Sequence, residues 1–124
     1  MSKVLVVDDE VGIRALLVAL LSDEGHDVIA AGDGRSALTL AEQERPDLLL
    51  LDIMLPALDG REVYRKVREI EGLERLPVIF MSAAALPPVS EPNTAFVSKP
   101  FELDRLLTCV ANMLAGNTDL ASYR

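Results

Sequence analysis

Short apolar runs recur along the chain at Val4 to Val7, Val28 to Ala31, Leu48 to Leu51, Val78 to Met81 and Ala95 to Val97. Each is too short for a helix and reads as a β-strand. The stretches between them carry helical spacing instead. Ile13, Leu16, Leu17, Leu20 and Leu21 form one apolar face that stops at Gly25, a residue suited to the position just beyond a helix. Ala37, Leu38 and Ala41 make a weaker face, halted at Arg45-Pro46 because the residue before a proline is pushed out of helical geometry. Val63, Tyr64, Val67 and Ile70 form a third face ending near Gly72, and Leu103, Leu106, Leu107, Val110 and Leu114 form the last, ended by Gly116.

Strand and helix thus alternate, which predicts right-handed crossovers and a parallel sheet covered on both faces, an α/β three-layer sandwich. The runs LLLL at Leu48 to Leu51 and VIFM at Val78 to Met81 lack polar alternation, so both belong in the sheet centre. The second run is less apolar and the fifth is short. That suits edge strands and agrees with the (βα)5 flavodoxin-like order 2-1-3-4-5, although the pattern alone leaves the order open. The rhythm breaks between Ser82 and Ala95, where AAALPPVSEPNT holds three prolines and no sustained apolar period. A shortened or irregular fourth helix is expected there. One domain is expected over residues 1–116, with a polar tail at 117–124.

Half of the 124 residues are hydrophobic, enough for one core without staples. The formal charge of -8 argues against a surface that binds a nucleic-acid backbone directly. The opening MSKVLVVDDE has one lysine and a short apolar run ending in acids, unlike a signal peptide or a membrane span. Cys109 is the sole cysteine and has no intrachain disulfide partner, which fits a reducing cytoplasm.

In open parallel sheets, ligands bind at the carboxyl ends of the strands. Asp8 and Asp9 follow strand one, Asp52 ends strand three, Ser82 ends strand four and Lys99 lies two residues past strand five. Three carboxylates, a hydroxyl and an ammonium are therefore expected in one pocket. Carboxylates so close repel one another unless a cation neutralises them, and an all-oxygen set without nearby His or Cys suits magnesium (or manganese). Beside a metal and a lysine, Asp52 becomes a candidate nucleophile toward a phosphoryl group. Each residue also has a plainer role open to it: Asp8 and Asp9 as helix caps, Asp52 as a turn former, Lys99 as a surface lysine, Phe96 as core, His26 as a solvated turn residue.

The runs VLVVDDE at Val4 to Glu10, LLLDIMLPALDG at Leu49 to Gly60, VIFMSA at Val78 to Ala83 and FVSKPF at Phe96 to Phe101 occur in order, each at the end of its strand. Together they resemble the signature blocks of response-regulator receiver domains of two-component signalling, over roughly residues 3 to 115. The resemblance implies a signalling domain rather than an enzyme, with Asp52 as phosphoacceptor and Lys99 pairing with the phosphoryl group. It implies a metal held by Asp9 directly, by Asp8 through a water, by Asp52 and by the backbone carbonyl of Met54. Ser82 and Phe96 would be the switch residues, and the Lys99-Pro100 peptide would be cis. The implied partners are a histidine kinase or phosphotransfer protein and an unknown downstream protein, with the chain a monomer or weak dimer.

The resemblance also implies that Met54 and Ala84, two residues beyond the acceptor and the hydroxyl, flank the path of attacking water. Neither side chain can orient a water by hydrogen bonding, so slow loss of the phosphoryl group is expected. Only sixteen residues separate Ser82 from Lys99, with Pro87, Pro88 and Pro92 among them. Ordering of Ala83 to Thr94 is therefore the expected readout. The competing functions are a phosphorylation-independent pseudo-receiver acting as a constitutive binding module, and an aspartate-based phosphatase or nucleotide-binding protein. No G-x-G-x-x-G or Walker loop follows strand one to support a nucleotide site.

Overall fold

All five apolar runs become strands in the computed structural model, which describes residues 2–83 and 91–116. The described elements are β1 (Lys3–Val7), α1 (Val11–Asp23), β2 (Asp27–Ala31), α2 (Gly34–Glu44), β3 (Leu48–Asp52), α3 (Gly60–Arg68), β4 (Val78–Ser82), β5 (Thr94–Ser98) and α4 (Leu103–Leu114). The strands pair in parallel in the order β2-β1-β3-β4-β5. The irregular helix expected after Ser82 falls largely on residues 84–90, outside the described residues, as does the tail at 117–124.

Register divides the apolar side chains between two cores, because successive residues of a strand face opposite sides of the sheet. Leu5, Val7, Leu49, Leu51, Phe80 and Phe96 pack on one side with Ala37 and Ala41 of α2 and Val63, Tyr64 and Val67 of α3. Val4, Val6, Leu48, Leu50, Ile79 and Met81 pack on the other with Leu17 and Leu21 of α1 and Leu106, Val110 and Met113 of α4. Every residue of β3 and β4 is buried, as their unbroken apolar runs predict. Burying a leucine contributes roughly 1.5–3 kcal/mol, so four in succession can carry Asp52, a buried acid, at the end of β3.

Two leucines depart from their expected inward positions. Leu16 and Leu103 are 47% and 41% exposed. Helix α1, VGIRALLVALLSD, is apolar nearly all round, so spacing does not choose its buried side. The sheet chooses Leu17 and Leu21. Leu103 is the first residue of α4 and lines a cavity with Leu16 and Phe101.

Helix starts follow side-chain chemistry where the sequence offers it. The carboxylate of Asp33 accepts the Ser36 N–H at 2.8 Å, and that of Asp59 accepts the N–H groups of Arg61 and Glu62 at 2.9 and 3.1 Å. The Asp59-Gly60 pair thus performs helix entry. Helix α1 has no such cap, because its N-cap residue Glu10 makes no capping hydrogen bond.

Burial pushes the Cys109 thiol up to about 12 from 9.0. The unfolded thiol ionises first, so the stabilising difference is complete below pH 9 and is lost as pH rises toward 12. Stability is expected to fall in that window with a component of about 1.4 kcal/mol per pH unit that Cys109→Ala removes, as measured by urea unfolding. An unchanged slope in the variant would refute this assignment.

Candidate functional site

Residues at the carboxyl edge are brought together by sheet register. Val7 pairs with Leu51, so the next residues, Asp8 and Asp52, stand side by side. Ser82 pairs with Ser98, and the Lys99 N–H donates to the Ser82 carbonyl at 2.7 Å. The following Lys99-Pro100 peptide is cis, as the resemblance implies.

From this position the Lys99 ammonium donates to Asp8 Oδ2 at 2.7 Å and to Asp52 Oδ2 at 3.1 Å. Glu10 Oε1 lies 3.8 Å from the same nitrogen. The Asp8 side chain is fully buried, that of Asp52 is 5% exposed and that of Lys99 is 11% exposed, so solvent screens these pairs weakly. Burial raises the Asp52 carboxyl above the ordinary carboxylate range, against the Met54 N–H and Lys99, which favour its ionised form. Burial alone would lower the Lys99 ammonium, but its hydrogen bonds to Asp8 and Asp52 outweigh that and leave it raised.

Both acids are also fixed by the backbone. Asp52 Oδ1 accepts the Met54 N–H at 3.0 Å, and Asp8 Oδ1 accepts the Glu10 N–H at 2.9 Å. Asp8 therefore shapes the turn into α1 as well as facing Lys99. Gly60 lets α3 start directly against β3. A Cβ there would stand 2.5 Å from the Asp52 carbonyl oxygen and 2.7 Å from Ile53 Cα, closer than any side chain permits.

Asp8, Asp9 and Asp52 each offer a carboxylate oxygen, and these oxygens lie within 4.8 Å of one another. Hard oxygen donors converging on one point fit magnesium, which takes few protein ligands and keeps several waters. Asp9 is exposed, leaving one side open for solvent and an incoming group. Met54 lines that side together with Asp9, Ile53, Leu55, Pro56, Asp59 and Arg61.

The remaining expected residues are placed as follows. Ser82 is fully buried at the end of β4. Phe96 is buried opposite Phe80 in register, within the core shared with α2 and α3, so its plain role as core is observed. Met54 is 64% exposed. Ala84 lies outside the described residues. Sequence reasoning overlooked Glu10 and Arg14, and read Gly60, with Asp59, as helix entry without its close approach to β3. Glu10 and Gly60 lie within the recognised runs, yet nothing in their residue type announces a neighbour.

This doubly wound sheet, with an acid cluster and a lysine at its carboxyl edge, defines a class that comparison makes specific. A family model described as response regulator receiver domain matches residues 4–111. The chain belongs to that family. It is 36% identical over 117 residues to sporulation initiation phosphotransferase F of Bacillus subtilis, covering 90% of this chain and 93% of that protein. The chemotaxis protein CheY4 of Vibrio cholerae superposes with a TM-score of 0.84 at 30% identity, over 91% of this chain and 98% of that one. The receiver domain of sensor histidine kinase PA1611 from Pseudomonas aeruginosa, with a magnesium ion coordinated in its active-site cleft, superposes with a TM-score of 0.83. Its identity is 29%, over 92% of this chain and 98% of that one. The chain spans about a third to a half of the curated transcriptional regulators it also matches. Among the described residues, no helix is long and apolar enough to cross a membrane.

Proposed function

We propose that this receiver domain takes a phosphoryl group onto the Asp52 carboxylate from a phosphohistidine of a kinase or phosphotransfer protein. The observation that carries the reading is the lysine bridge. One ammonium holds two buried acids at the point where three carboxylates converge. In the transfer, an Asp52 oxygen forms a bond to phosphorus as the bond to the donor nitrogen breaks in line with it, and the imidazole leaves with the electron pair. The Met54 N–H and Lys99 fix the carboxylate before attack, so little orientation remains to be organised. Lys99 then pairs with the phosphoryl oxygens.

Asp9, Asp52 and the Met54 backbone carbonyl would hold magnesium, with Asp8 acting through a water, and the ion would supply positive charge against the transferring oxygens. The bound magnesium of the Pseudomonas receiver and the phosphotransferase role in the Bacillus relative's name support this reading. Ser82 and Phe96 read the modification, the hydroxyl by bonding a phosphoryl oxygen and the ring by changing rotamer. Hydrolysis of the aspartyl phosphate resets the domain. The exposed apolar side chains Leu16 and Leu103 line a cavity with Lys99, and Met54 stands beside Asp9. A protein donor would press against this rim.

Incubation with a small phosphodonor and magnesium, followed by peptide mass spectrometry, tests the reading. One phosphoryl group is expected, on the peptide containing Asp52, and none after chelation of the metal. A folded protein that takes up no phosphoryl group overturns the proposal in favour of a constitutive binding module.

A further inference from the structure

Arg14 contacts none of the reacting groups, yet its side chain turns back from α1 to the end of β1. Its Nη1 donates to the backbone carbonyl of Asp8 at 2.7 Å. That carbonyl belongs to the peptide joining Asp8 to Asp9, so its direction sets where the Asp9 side chain leaves the backbone. The other polar atoms of Asp8 are also engaged. Its N–H donates to the Ala31 carbonyl at 3.2 Å, and its two carboxylate oxygens accept from Glu10 and Lys99. Asp8 is thus held on all sides, whereas Asp9 is exposed and gains its direction from the peptide before it.

The space for the guanidinium is made by Gly32. A Cβ at that position would stand 2.9 Å from Arg14 Nη1 and 3.4 Å from its Cζ, and no other atom comes as near. The obstacle is the tip of a flexible side chain. Gly32→Ala should therefore fold while expelling the guanidinium from its seat.

We propose that Arg14, seated by Gly32, is a positioning residue that aims Asp9 at the metal through the Asp8 carbonyl. This rests on the metal-binding reading above. The sign of the effect separates positioning from simple charge. A guanidinium near an acid cluster repels a cation, so removing or displacing the charge alone would tighten magnesium binding. Loss of aim weakens it, and outer partners that orient metal ligands typically change affinity about 10-fold or more.

The experiment is calorimetric titration of magnesium into the intact chain, wild type against Gly32→Ala, Arg14→Met and the double variant, with circular dichroism to establish folding. Weakening of about 10-fold is expected in each single variant, and the double variant should match Arg14→Met. The Asp9 amide signal in ¹⁵N-correlated spectra should shift in both single variants before metal is added. Equal or tighter magnesium binding in folded Gly32→Ala overturns the inference, as does an added loss in the double variant. Failure of the wild type to bind magnesium overturns the metal-binding reading itself.

Discussion

Asp52→Asn is expected to bring phosphoryl incorporation down to background while leaving the chain folded. The amide keeps the shape of the carboxylate, and its oxygen can still accept from Met54 or Lys99. What it lacks is a nucleophilic oxygen anion. The same change should stabilise metal-free protein at neutral pH. Burial raises the folded carboxyl, so its favourable contribution is complete below the ordinary carboxylate range and is lost as pH rises through the folded value. An asparagine has no such loss. Mass spectrometry after treatment with phosphodonor and magnesium, with urea unfolding in chelator, reads both effects. Phosphate persisting in the variant would place the acceptor elsewhere.

Lys99→Met should weaken metal-free protein by about 3 kcal/mol, because it strands the buried Asp8 and Asp52 carboxylates without their shared cation. Methionine fills most of the lysine's volume, so the loss reports charge rather than packing. Saturating magnesium should return part of the stability by binding the folded state alone. Unfolding midpoints in chelator and in excess magnesium measure the two quantities. A change no larger than about 0.5 kcal/mol in chelator would mean that the bridge behaves as a surface ion pair.

Much of the fold is legible in the sequence because its signals are local. The unbroken runs of β3 and β4 announce central strands, and the weaker runs of β2 and β5 lie at the edges. Strand ends then place Asp8, Asp52, Ser82 and Lys99 at a common rim. Helix orientation is less legible where a helix lacks a polar side. Leu16 satisfies the same spacing as Leu17 and differs only in which way the sheet turns α1. The resemblance points Lys99 at an incoming phosphoryl group, whereas the structure gives it two standing partners, Asp8 the nearer. Contacts to backbone are the least legible. The Arg14 guanidinium meets a carbonyl that every residue carries, and Gly60 matters only because β3 and α3 converge on it.

The Lys99–Asp8 bond joins residues 91 positions apart. A ribosome releasing this chain from its amino end delivers the acids before the lysine. Until β5 has emerged and docked beside β4, Asp8 and Asp52 have no ammonium between them. Completion of the last strand is thus what balances the charge laid down by the first.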